Sequence, residues 1–94
     1  MIIVSGKIFI TPGQRDAFLR ASYPAIIQAR SAPGCRDFVV SADPVEENRV
    51  NVYEAWDSVE ELDAFRGSGP DDGLSNVIVG AEVARHIIAS SGPA

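Results

Sequence analysis

Several side chains in this sequence are of types that do chemistry on small molecules. Glu54 and Trp56 stand two residues apart in Asn51-Val52-Tyr53-Glu54-Ala55-Trp56, so in a strand they share one face. A carboxylate held among apolar walls has its pKa raised and becomes a general base near neutrality. An indole beside it stacks on a planar ring. His86 is the sole histidine and the side chain whose ordinary pKa lies closest to neutrality, which makes it the second candidate for moving a proton. Tyr23, Asn51 and Tyr53 bring hydrogen-bonding groups for the oxygens of a bound ring, and Phe65 brings a ring to pack on it. Each has a structural reading as well. Trp56 is also a core anchor, Glu54 a partner for an arginine, Tyr23 a core tyrosine reaching the surface, and His86 a solvated side chain. Asn51 and Tyr53 fall on the strand face opposite Glu54 and Trp56, which suits an interface between copies. Cys35 has no basic neighbour in sequence to activate it and reads as inert.

The elements that must position these groups follow from periodicity. Ile2 to Ile10 is rich in β-branched residues, with Ile2, Val4, Ile8 and Ile10 on one face and Gly6 leaving a gap among them. Thr11 as N-cap, Pro12 at the first helical position and Gln14 three residues after the cap predict a helix running to about Ser31. Its inward stripe is Phe18, Leu19, Ser22, Tyr23, Ile26 and Ile27, with Pro24 kinking it on the outer face. Cys35 to Ala42 and Arg49 to Trp56 form a hairpin around the polar turn Asp43 to Asn48. Asp57 or Ser58 caps a second helix bearing Val59, Leu62 and Phe65, which Gly67-Ser68-Gly69-Pro70 stops. Asp71 or Asp72 starts a short helical turn with Leu74, Val77 and Ile78, ended by Gly80, and a last strand covers about Ala81 to Ile88. The order βαββαβ predicts an α+β ferredoxin-like sandwich, a four-stranded antiparallel sheet with both helices on one face. Residues 1–88 form the domain and 89–94 a loose tail. Large apolar residues on the uncovered face, Ile3 and Phe9 among them, call for a second copy packed sheet to sheet.

The 94 residues carry a formal charge of -5 and scatter their 8 basic side chains singly, which argues against nucleic acid as a partner. No apolar stretch approaches the roughly 20 residues that span a bilayer, so no membrane partner is expected. Met1 to Lys7 lack the basic start of a secretory signal, and the one cysteine excludes an internal disulfide; the cytoplasm is the expected compartment. Gly67-Ser68-Gly69 is followed by Asp71-Asp72 rather than Lys and Ser or Thr, so it reads as a turn and not a phosphate cradle. Glu46-Glu47 and Glu60-Glu61 read as solvated faces, because no third ligand is spaced to complete a metal site with them.

Over roughly residues 1 to 88 the chain resembles the antibiotic biosynthesis monooxygenase family of dimeric α+β barrels. The resemblance is carried by Thr11-Pro12-Gly13-Gln14-Arg15-Asp16-Ala17-Phe18-Leu19, by Pro33-Gly34-Cys35, and above all by Asn51-Val52-Tyr53-Glu54-Ala55-Trp56-Asp57-Ser58 ahead of Glu61-Leu62. It implies a homodimer and a cofactor-free oxygenase or oxidase acting with O2 on a small electron-rich aromatic such as a phenol, quinol or anthrone. Haem-degrading relatives carry an Asn on the first strand, a Trp on the second helix and a His after it. Here Gly6 or Lys7 and Phe65 take the first two places and no histidine precedes His86, so haem lacks its ligand and no cofactor or metal is expected. Many other relatives place a His about where Phe65 stands. The alternatives are a binding or stress-response module that holds a small hydrophobic molecule without turnover, and an isomerase working through an enolate.

Overall fold

The computed structural model describes residues 1–68 and 74–94. Its elements are β1 (Ile2–Ile10), α1 (Arg15–Arg30), β2 (Cys35–Ala42), β3 (Arg49–Trp56), α2 (Val59–Ser68), a 3-10 turn (Leu74–Val77) and β4 (Ile78–Ile87). The strands form one antiparallel sheet in the order β2-β3-β1-β4, the ferredoxin-like arrangement, with β1 and β3 central.

Register decides which side chains meet the helices. Ile2 lies opposite Trp56, Val4 opposite Glu54 and Ile8 opposite Val50, so all of these share the helix-facing side. Two apolar clusters fill that side. Ile2, Val4, Trp56 and Leu62 pack at one end with Phe38 and Phe65, while Ile8, Ile10, Phe18 and Val50 pack at the other. Gly6 lies between them along β1. A Cβ there would run into the Glu82 carbonyl and sit 2.7 Å from the Val83 Cα, so its absence lets β4 close on β1.

Three expectations need correction. The first helix begins at Arg15 rather than Pro12, with Gln14 as N-cap. Thr11 is not free to cap it, because its hydroxyl donates to the Val77 carbonyl at 3.1 Å and its N–H to the same oxygen at 2.9 Å. The inward face of α1 is also narrower than expected, though Phe18, Ser22 and Leu19 of the expected stripe do face the core. Phe18, Ser22 and Ala29 are buried, whereas Tyr23 is 64% and Ile27 52% exposed. Small residues let the helix approach the sheet, and Ser22 tolerates burial because its hydroxyl donates to the Phe18 carbonyl at 2.8 Å. Finally, β4 starts at Ile78, with Gly80 inside it opposite Phe9 and an irregularity between Phe9 and Ile10. The proposed stop at Gly69-Pro70 and start at Asp71 or Asp72 lie outside the described residues.

The second helix is capped as expected. Ser58 accepts from the Glu61 N–H at 3.2 Å and its hydroxyl donates to Glu61 Oε1 at 3.1 Å. The β2–β3 hairpin has the expected bounds. Among the described residues no helix is long and apolar enough to cross a membrane.

Candidate functional site

Trp56 ends β3 on the helix-facing side and is fully buried. Phe65, on the inner edge of α2, lies over it with ring centroids 5.4 Å apart and planes 33° apart, and meets Phe38 edge-on at 6.0 Å. Glu54 is buried beneath this aromatic layer. Its Oε1 accepts from the Trp56 indole N–H at 3.0 Å and its Oε2 faces the Arg66 guanidinium at 3.9 Å. Both oxygens are therefore engaged, and the shared face read from the sequence is the face on which they meet.

Beside the layer, α1, the α1–β2 connection and α2 line a half-open cavity of about 370 Å³. Phe65, Ala64, Ala32 and Pro33 give it an apolar lining, and Gln28, Ser31 and Glu61 contribute the polar groups. Of the site residues expected from sequence, Phe65 lines it; Trp56 stands behind Phe65, and Glu54 behind both. Glu61, read from the sequence as part of a solvated acidic pair, is instead half-buried on the cavity wall. Gln28 and Ser31 escaped the sequence reading too. Gln28 in the last turn of α1 and Ser31 at its C-cap carry no signal that distinguishes them from any helix end.

The remaining expected residues lie elsewhere. His86 pairs with Ile3 across β1 and β4, which puts it on the outer face of the sheet, exposed, with the whole sheet between it and Glu54. Tyr53 and Asn51 pair with Ser5 and Lys7 on that same outer face, as a regular strand requires. Asn51 is held there: its Oδ1 accepts from Arg49 Nε at 2.8 Å and its Nδ2 donates to Asp43 Oδ1 at 2.9 Å. Tyr23 projects from the outward side of α1 and does not reach the cavity lining.

Among the described residues two groups have shifted pKa values. Burial, reinforced by Asp37 and Glu54, pushes the Cys35 thiol up and keeps it protonated. Asp43 is held down at about 2, chiefly by the Glu46 N–H it accepts and then by the Asn51 amide, with Val45 and Arg49 adding to this. Among the described residues no three His, Cys, Asp or Glu side chains are grouped to hold a metal ion.

Comparison with known proteins agrees with this architecture. The sequence profile of the antibiotic biosynthesis monooxygenase family matches residues 1–70. An uncharacterized protein of Synechocystis is 32% identical over 62 residues, a segment that spans 66% of this chain and 42% of that relative. A crystal structure from Chloroflexus aurantiacus, named a putative antibiotic biosynthesis monooxygenase, superposes with a TM-score of 0.78 at 26% identity, covering 98% of this chain and 96% of the other. One of the same name from Deinococcus radiodurans reaches 0.86 at 15% identity over 100% and 98% of the two chains, a likeness of fold. A profile match that takes in β1 through α2, and with them the aromatic layer and the residues around the cavity, places this chain in the antibiotic biosynthesis monooxygenase family.

Proposed function

We propose that the protein oxidises a small electron-rich aromatic of the phenol, quinol or anthrone type with O2 and without a cofactor, inside the cavity over Phe65. The observation that carries this reading is a largely apolar, half-open cavity with a ring and one carboxylate among its described lining residues. A substrate of this type needs little from the protein. Loss of a proton gives an enolate or phenolate, which passes one electron to O2; the substrate radical and superoxide then join through a new C–O bond. For an anthrone, the peroxide loses water and leaves a carbonyl, so one CH2 and one O2 become one C=O and one H2O. The protein supplies a proton acceptor and ring packing.

Glu61 is the carboxylate that meets the cavity, so it takes the proton; Glu54 holds the indole from behind. The expected test is O2 uptake with a panel of quinols and anthrones. Glu61→Gln should lower turnover at least tenfold and His86→Ala should leave it unchanged. The opposite pattern would reject the assignment. One observation favours a second reading, a binding module: Glu54, the one buried carboxylate among the described residues, already has both oxygens occupied. A ligand that raises the melting temperature with no O2 consumed would decide for it.

A further inference from the structure

The charges around the cavity are unevenly placed. Among the described residues that line it, Glu61 is the charged one. Three arginines of the flanking elements are turned to other groups. Arg66 of α2 faces Glu54 at 3.9 Å, Arg36 of β2 binds Asp57 at 2.6 Å, and Arg30 of α1 donates to the Phe38 carbonyl at 2.8 Å and lies 3.8 Å from Asp37. Of the three polar side chains among the described lining residues, Gln28 both donates and accepts, while the other two lean toward accepting. The Ser31 hydroxyl donates to the Ile27 carbonyl at 3.2 Å, which leaves its lone pairs for a ligand, and the Glu61 carboxylate only accepts.

Glu61 is also held in place. Ser58 donates to its Oε1, and the carboxylate rests over Gly34, where a Cβ would collide with Cδ and both oxygens. Gly34 has φ of +80°, a conformation glycine adopts without strain, and its carbonyl accepts from the Asp57 N–H at 2.8 Å. The position of the negative charge is thus set by backbone and cap rather than by a mobile stem.

We infer that Glu61, positioned by Ser58 and Gly34, is a charge filter: the cavity accepts a flat apolar molecule bearing an O–H or N–H donor and rejects the anion of the same shape. The filter rests on the reading of this cavity as the binding site. A ligand donor pairs with the Glu61 carboxylate, while a ligand carboxylate meets a like charge with no cation among the described lining residues to offset it.

The test uses the full chain and calorimetric titration with 2-naphthol and 2-naphthoate, two probes of one ring system. Wild type should bind 2-naphthol at least tenfold more tightly. Glu61→Gln keeps a residue suited to the cap and should narrow that ratio to less than threefold by improving 2-naphthoate. Glu60→Gln removes the same charge from an exposed neighbour and should leave the ratio as in wild type. The filter is overturned if 2-naphthoate binds as tightly as 2-naphthol, if the ratio survives Glu61→Gln, or if Glu60→Gln narrows it equally. Binding of neither probe overturns the filter and the cavity reading together. The expected selectivity without O2 uptake on any phenol overturns the oxygenase and supports the filter.

Discussion

At the scale of single residues, the contact between Trp56 and Glu54 decides what each can do. The indole N–H is fully enclosed and has Glu54 as its acceptor, so removing the carboxylate leaves a buried donor unpaired, at a cost of about 1–3 kcal/mol. Glu54→Gln keeps an oxygen in reach and gives up the attraction to Arg66, whose side chain is half exposed. Glu54→Ala should therefore lower the urea midpoint clearly more than Glu54→Gln, followed by the fluorescence of the single tryptophan. Equal losses would show that the hydrogen bond is unimportant. A second expectation concerns Cys35: with its thiol pushed up, iodoacetamide at pH 8 should alkylate it more slowly than free cysteine, and labelling as fast as the free amino acid would contradict the burial. Much at this scale was legible from the two-residue strand period, which put Glu54 with Trp56 and turned Tyr53 and Asn51 away. The acceptor role of Glu54 was not, because it depends on how two side chains are turned. Nor was the exposure of Tyr23: the stripe on α1 was read too broad, and packing kept Phe18 and Ser22 of it, took in the small Ala29 and left Tyr23 and Ile27 outside.

Among the elements, the β2–β3 hairpin is the most heavily tied. Asp43 Oδ2 accepts from the Val45 and Glu46 N–H groups at 3.0 and 2.8 Å, and Arg15 reaches from α1 to the Asp43 and Glu46 carbonyls at 3.2 and 3.0 Å. These N–H donors hold Asp43 at about 2, below its ordinary 3.8. A carboxyl whose pKa is lower in the folded state stabilises fully above the unfolded value and loses that contribution as pH falls through the folded value. The wild type should accordingly lose stability between about pH 4 and pH 2 more steeply than Asp43→Asn, and parallel melting curves over that range would refute the assignment. Gly6 is the second element-scale test. Because a Cβ meets the β4 backbone itself, Gly6→Ala should separate β1 from β4 and lower the melting temperature by several degrees; an unchanged value would contradict the close approach. The strand bounds of β1, β2 and β3 were legible because β-branched runs end in polar turns. The start of α1 was not, since the partner that takes Thr11 away from capping, Val77, lies 66 residues further along the chain. The start of β4 was hidden by the irregularity opposite Phe9.

The whole molecule is thin, 38 × 31 × 18 Å, as one sheet and one helical layer must be, so the second face of the sheet is also a surface of the monomer. That face carries Ile3, Phe9 and Val39 half-buried, and Tyr53 at 39% exposure. The ion pair Lys7–Glu82, at 3.7 Å, joins two of its strands. At about 25 cal/mol per Å² of apolar area, covering several such side chains is worth several kcal/mol, comparable with the stability of a small domain. A second copy supplies the same apolar surface about a two-fold axis. Sedimentation at micromolar concentration should show a dimer. Tyr53→Glu places a charge in the middle of that face without touching the helix-facing core, so it should shift the species to monomer while circular dichroism keeps the α+β spectrum. A wild type that sediments as a monomer would mean the face stays wet and the two-layer core suffices alone. A Tyr53→Glu dimer as tight as wild type would place the interface elsewhere on the molecule, and either result would remove the sheet face from the account of how this fold is stabilised.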